Sequence, residues 1–432
     1  MPVQRPPRTA DADEMLDYLD ELHRYLNLNG LLVEPSAGDS TSDINAAIEE
    51  AGSSGLVSFL PGAIYNVSDT INLTALQNIE LRGNGGSGDT NLNTTFKWNG
   101  TNGGTVFLFD RTRDSYMHGF SIIAGTGTIG VGIRVDHASA PSGSTLAAHN
   151  IYERLSIGAS TTAVQIGNSS TANNDLHSFR DVNITGSGTN GYLINHSQSK
   201  WIEITGGALV SRTNGIQTVA GSFRARGVNF SGNTNDILLG SPTDTIVIDG
   251  CQSESSDRFL TDTGGDSNKW AVTISNCRLS PDSLHADGEY IQYQKGGPLT
   301  LIGNDLASGT YEASWLLRCS SGSGDGTPLI CIGNTFPNGA PFVTGTRQVR
   351  ISLGNTYIGS GSTQNNLMTE ILVGPSTVSD VSLAQVIATA SLPAAAAARN
   401  GTMLIEDAGA GDRNLIIYAG GQRFRIDGGA AF

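Results

Sequence analysis

Between Trp201 and Ile358 the chain repeats one short pattern: an alternating apolar run closed by Gly or Asn, then a few polar residues. It reads Ile202-Glu-Ile-Thr-Gly206, Phe223-Arg-Ala-Arg-Gly227, Ile246-Val-Ile-Asp-Gly250 and Val272-Thr-Ile-Ser-Asn276. It continues as Leu299-Thr-Leu-Ile-Gly303, Ile330-Cys-Ile-Gly-Asn334 and Ile351-Ser-Leu-Gly-Asn355. The turns recur at roughly 21 to 31 residues, inside the range of repeat architectures. Period-two alternation puts the apolar residues of each run on one face. One such strand cannot bury that face alone, whereas stacked copies share a continuous core. Gly and Asn recur at the corners because they tolerate positive φ. Second strands lie between the corner strands, such as Asp236-Ile-Leu-Leu-Gly240 and Tyr290-Ile-Gln-Tyr293. The pattern predicts an all-β chain: a parallel β-helix solenoid.

The composition agrees. Gly, at 55 of 432 residues, is nearly twice its usual share, and charged residues are only 15%, as tight turns between many strands require. A net charge of −15 argues against binding a phosphate backbone, so no nucleic-acid partner is expected. No apolar run is long enough for membrane insertion, and Met1-Pro-Val-Gln-Arg-Pro-Pro-Arg lacks the apolar core of a signal peptide. Four cysteines are too few for a disulfide scaffold in a chain this long. Cys251 and Cys277 follow equivalent turns, which predicts a buried pair of free thiols stacked on successive rungs. Neither CxxC nor His-rich spacing occurs, so no metal and no cofactor is expected.

Taken in order, the chain predicts three parts. Residues 1–37 form an N-terminal helical segment, with a helix over about Asp11–Asn27 whose Met15, Leu19, Leu22 and Leu26 make a two-heptad seam. Residues 38–362 form the solenoid. It opens on a short amphipathic helix, Asp43–Ala51, capped by Thr41 or Ser42 and placed to cover the first strand edge. Residues 363–432 hold an Ala/Pro-rich hinge over about 384–398 and a small C-terminal β module of three strands around Met403, Leu415 and Phe424. Three strands bury too little alone, so this module is expected to assemble with copies from neighbouring subunits.

The solenoid's opening carries a more specific likeness. Asp43, Ala46, Ala47 and Ile48, then Val57, Phe59, Pro61, Gly62 and Tyr65, then Ile71, Leu73, Leu81 and Gly83 resemble the first rungs of the pectate-lyase-like right-handed β-helix superfamily, which includes phage tailspikes and tail appendage depolymerases. The resemblance implies a right-handed solenoid on a homotrimeric virion tail protein. It implies attachment to a phage tail adaptor or baseplate protein through the N-terminal segment, assembly in the host cytoplasm and release by lysis. It also implies a partner, host cell-surface polysaccharide, which the protein binds and depolymerises during adsorption. The alternative is a non-catalytic receptor-binding or structural virion tail protein.

Candidate chemistry comes from the alternation itself. With Ile202/Ile204, Phe223/Ala225 and Ile246/Ile248 inward, Trp201, Glu203, Arg224, Arg226 and Asp249 point outward on rungs about 4.8 Å apart. Glu203 and Asp249 are then a candidate carboxyl pair about two rungs apart, suited to protonating a leaving oxygen and activating water. Arg224 and Arg226 are candidates for binding an acidic sugar, and Trp201 for stacking on a ring. The competing reading is an ordinary surface salt-bridge ladder. A second cluster, Glu254, Asp257, Arg258 and Asp262, reads mainly as solvated surface, with Glu254 and Asp257 as further catalytic candidates. Val135-Asp136-His137 reads as a strand ending in a polar turn, and the scattered histidines as loop hydrogen-bonders. Asp282 to Glu289 reads as a surface turn. The polygalacturonase signatures are absent, so hydrolysis, β-elimination and binding alone stay open.

Overall fold

The computed structural model describes residues 30–85, 93–137, 147–168, 173–262, 270–280, 289–293, 297–306, 315–318, 328–337, 349–353, 355–358, 371–372, 385–388, 403–409, 412–419 and 422–427. The N-terminal helix expected over Asp11–Asn27, the acidic turn at 282–288 and most of the hinge lie outside them. The chain divides into two compact units, Met1–Phe223 and Arg224–Phe432.

In the first unit, parallel strands stack rung on rung. One face runs through Leu31–Val33, Leu56–Phe59, Glu80–Arg82, Tyr116–Ala124, Ile151–Ile157, Ser178–Arg180 and Ile202–Thr205. A second sheet runs through Ile71–Thr74, Gly104–Asp110, Ile129–Asp136, Ser160–Ile166, Gly188–Asn195 and Arg212–Gly221. Each strand thus pairs with its equivalent one coil away, the signature of a right-handed parallel β-helix. Among the described residues, pairing begins at Leu31, inside the segment that the sequence set aside as 1–37.

The core is built from the inward half of each alternation. Leu81, Met117, Tyr152, Phe179 and Ile204 stack in register and are buried. Phe96 packs on Phe59, Tyr65, Phe107 and Phe120, with ring centroids 4.9–5.5 Å apart. Such pairs add about 0.5–1.5 kcal/mol each beyond area burial.

The helix Thr41–Ala51 buries Ile44 and Ile48 and covers the strand edge as expected. Asn45 does so directly: its Nδ2 donates to Thr70 O (3.2 Å) and its Oδ1 accepts the Asn72 N–H (2.9 Å), two bonds that a neighbouring strand would otherwise make. The N-terminal cap differs from the expectation. Ser40 holds the cap position but accepts the Ser36 N–H instead (3.1 Å), and Asp39 Oδ1 accepts the Thr41 N–H (3.2 Å).

The second unit continues the same architecture with Ile246–Asp249, Val272–Ser275, Leu299–Ile302, Pro328–Ile332 and Val349–Leu353. Its corners carry positive φ at Gly227, Gly250, Asn276, Gly303 and Gly333. Asn334 is not itself the corner, contrary to the sequence reading. Gly333 turns the chain, and Asn334 points inward with Asn304 and Asn355 to form a ladder. Asn304 N–H donates to Asn334 Oδ1 (2.9 Å), Asn334 N–H donates to Asn355 Oδ1 (2.8 Å), and the amide groups of Asn304, Asn334 and Asn355 donate to Ile274, Leu301 and Cys331 carbonyls at 2.9, 2.9 and 3.0 Å. Cys251 and Cys277 occupy the equivalent inward position on earlier rungs and are buried free thiols, as expected. The C-terminal strands Met403–Gly409, Asp412–Ala419 and Gln422–Asp427 form an antiparallel meander. A fourth strand, Gln385–Ala388, joins it in parallel from within the stretch read as hinge.

Candidate functional site

The outward half of the alternation in the first unit forms a grid. Immediately before the strands, Asn78, Asp114, His149, Leu176 and Trp201 all adopt φ between 53° and 58°, giving a corner column. Two residues further on, Glu80, Tyr116, Ile151, Ser178 and Glu203 align in register, and two beyond them Arg82, His118, Glu153, Arg180 and Thr205 do the same. Five rungs at about 4.8 Å give a face about 19 Å long. The buried residues between the columns fix every outward side chain's direction.

One end of the grid is a closed polar network. Glu80 Oε1 accepts Arg82 Nη2 (2.8 Å) and Nε (3.0 Å), and lies 3.1 Å from His118 Nε2. Arg154 Nη2 donates to His118 Nδ1 (3.1 Å). A guanidinium has no acceptor, so Nδ1 is unprotonated and His118 Nε2–H donates to Glu80. Tyr116 OH donates to Glu153 Oε2 (2.8 Å), whose Oε1 lies 3.5 Å from Arg154 Nε. The Tyr116 and His118 rings stack, with centroids 4.4 Å apart and planes within 17°. Burial pushes the Glu80 carboxyl up, but the His118 and Arg82 hydrogen bonds outweigh it and hold its pKa below the ordinary value. Burial and the bond to Glu153 raise the Tyr116 phenol.

The other end is apolar. Trp201 is 42% exposed and Leu176 45% exposed, on adjacent rungs of the corner column. A bulky residue at positive φ is a backbone outlier, held only where the surroundings over-determine it. Trp201, at φ 56°, is held in part by its N–H donating to Ser222 Oγ (3.1 Å). The strain presents an indole to solvent beside half-buried Glu203.

Of the sequence candidates, Trp201 and Glu203 therefore lie on this face. Arg224, Arg226 and Asp249 belong to the second unit, where Arg226 and Asp249 are register partners and alternate outward as expected. Hydrogen bonds from Ser275 Oγ (2.7 Å) and Asn276 Nδ2 (3.0 Å) engage Asp249 Oδ1 and lower its pKa. Glu254 ends the strand Gln252–Glu254 and accepts from Gln252 Nε2. Asp257 is half-buried ahead of Arg258–Asp262. The structure folds Asp249, Glu254 and Asp257 around two corners, Gly250 and Ser255. Arg258 and Asp262 are buried, 7% and 2% exposed, rather than solvated surface, because their strand carries them into the core layer; Arg258 Nη1 donates to Gln292 Oε1 (2.9 Å). Val135-Asp136-His137 is a strand end, as read, although Asp136 and His137 are buried. His177, also read as a loop hydrogen-bonder, is buried beside Asn174 Oδ1 (2.8 Å), and burial drives its pKa down to about 3.

Sequence reasoning missed Glu80, Tyr116, His118, Glu153, Arg154 and Arg180. The available signal was the same outward-inward-outward triplet, in Glu80-Leu-Arg82, Tyr116-Met-His118, Ile151-Tyr-Glu153 and Ser178-Phe-Arg180. Among the described residues no His/Cys/Asp/Glu cluster suits a metal ion.

The fold and this face define a β-helix protein with a long outward-facing grid of side chains. No protein-family model matches the chain, and no curated protein matches it in sequence. Among solved structures it is similar to Geobacillus virus E2 ORF18, at 14% identity and TM-score 0.38 over 97% of this chain and 90% of that one. It is also similar to the tailspike of Acinetobacter phage vB_ApiP_P1, at 13% identity and TM-score 0.47 over 94% and 79% of the two chains. A third is the endo-xylogalacturonan hydrolase of Aspergillus tubingensis, at 11% identity and TM-score 0.40 over 76% and 92%. At these values none of the likenesses bears on what this chain does.

Proposed function

We propose that this chain is a phage tailspike whose first unit holds host cell-surface polysaccharide along the grid from Glu80 to Trp201. The observation that carries the reading is Trp201, a solvent-facing indole kept at positive φ at one end of a rigid row of polar side chains. Sugar recognition asks for that combination: an aromatic face for a ring's apolar side and fixed hydrogen-bonding groups for its hydroxyls. Parallel strands supply the fixed spacing that a polymer of regular repeat needs. In this reading the protein sits on the virion tail, the N-terminal segment meets a tail adaptor or baseplate protein, and the C-terminal meander joins copies in a trimer.

Binding is better supported than cleavage. A glycosidase needs one carboxyl that carries a proton, whereas Glu80 is held ionised by its donors and Glu153 already accepts from Tyr116. Glu203 is the outward carboxylate beside the indole and the first candidate if cleavage occurs. Purified protein incubated with host-surface polysaccharide, followed by sizing of the products, tests the reading. Retention of intact polysaccharide supports a receptor-binding spike, and shortened chains with new ends establish a depolymerase. Neither retention nor shortening across authentic host polysaccharides would leave a structural tail component.

A further inference from the structure

The charges on the recognition face do not all cancel. Arg82, His118, Glu80, Glu153 and Arg154 engage one another, but Arg180, in the same column, makes no ion pair among the described residues. Its one hydrogen bond is Nε to Ser178 Oγ (3.1 Å). That bond uses Nε and leaves both Nη groups without a hydrogen bond among the described residues. Arg180 is exposed and sits one rung from Glu153 and one from Thr205. Glu203 is in register with Ser178 on the next rung and makes no ion pair with Arg180 among the described residues, and the other acidic neighbours are engaged elsewhere. Glu153 faces Tyr116 and Arg154, and Asp181 Oδ1 packs toward Gly206 at the corner. In a chain of net charge −15, an exposed arginine outside any ion pair among the described residues is a local exception to the repulsion that an anionic polymer would otherwise meet.

We infer that the polysaccharide is acidic and that Arg180 receives a sugar carboxylate through its two Nη groups while a ring of the same chain rests on Trp201. This rests on the polysaccharide-binding reading of the face and adds the substrate's charge and the residue that reads it. A planar fork matches a carboxylate in a way that an ammonium does not. Arg180 lies one rung and four residues from Trp201, roughly 14 Å between backbones, so the two contacts belong to different sugars of one oligosaccharide.

The test is an array in which each uronic-acid oligosaccharide stands beside its carboxyl-reduced, neutral counterpart, probed with the full chain and with Arg180→Gln and Arg180→Lys. Both substitutions are at an exposed position, and coincident thermal melts confirm that they fold. The expected result is selective capture of acidic chains by the wild type. Arg180→Gln should weaken that capture about ten- to a hundredfold, the value of hydrogen bonds to a charged group. Arg180→Lys should fall between, and binding to reduced chains should not change. Equal capture of acidic and reduced chains, with Arg180→Gln unaltered, overturns the inference and leaves polysaccharide binding standing. Capture of neither set by the wild type removes the polysaccharide reading, and this inference with it.

Discussion

Asp236 gives the second unit a pH dependence opposite to that of an ordinary salt-bridged carboxylate. It is fully buried. Its Oδ1 accepts Asn233 Nδ2 (2.8 Å) and Ser256 Oγ (2.6 Å), its Oδ2 accepts Ser253 Oγ, and Ser253 Oγ in turn lies 2.5 Å from Tyr290 OH. Burial raises its pKa from the ordinary 3.8 to about 7, against the lowering effect of those three donors. Below the unfolded value both states are protonated, and the stability tied to this proton is fully present. As pH rises from about 4 to about 7 the unfolded chain ionises while the folded chain keeps its proton, so stability falls. Each pH unit is worth about 1.4 kcal/mol, and the whole span about 4 kcal/mol. Asp236→Asn mimics the protonated carboxyl and removes the titration. Hydrogen exchange resolved on peptides spanning 229–262, measured on both proteins from pH 4.5 to 8 and corrected for intrinsic rates, reads the difference locally. The variant should gain protection relative to wild type progressively up to about pH 7 and level off above it. A variant-minus-wild-type difference that stays flat with pH would refute the reasoning.

Three other perturbations follow from particular contacts. Asn334→Ala leaves the Asn304 N–H and the Leu301 carbonyl without their side-chain partner in a buried ladder, and should cost about 2–6 kcal/mol by urea unfolding; a loss under about 1 kcal/mol would mean that the ladder is dispensable. Gly188→Ala should destabilise the first unit by about 1–3 kcal/mol, because the new Cβ would fall 2.0 Å from Arg212 Nη1 as that buried guanidinium crosses the rung to reach Gly158, Ser160 and Thr185 carbonyls. Phe96→Ala removes the ring on which four others pack and should cost about 3–5 kcal/mol, read as a fall in the unfolding midpoint.

The corner strands of the second unit were legible because period-two alternation and a corner Gly or Asn coincide there. The inward run Ile246/Ile248, Val272/Ile274, Leu299/Leu301 lands in the core as expected. The corners misled where Gly and Asn adjoin: both tolerate positive φ, and only the stacked amides show that Gly333 takes the turn and Asn334 the interior. The outward grid of the first unit was half legible. Trp201 and Glu203 stand in the repeat, but Glu80, His118, Glu153 and Arg180 sit on rungs joined by loops of unequal length, so neighbours in space had no fixed spacing in sequence. Nor do corner residues such as Arg154, Leu176 and Trp201, all at positive φ, belong to types that announce such a conformation.

Trp201 carries the central claim, so its own fluorescence is the most direct measurement. Titrating the wild type and Trp201→Phe with oligosaccharides released from host-surface polysaccharide compares the exposed indole's emission and the affinity in one experiment. The account predicts a saturable emission change in the wild type that is absent in the variant, together with binding at least about tenfold weaker, as for loss of an aromatic anchor. Identical isotherms for the two proteins, or no binding by either, would contradict it.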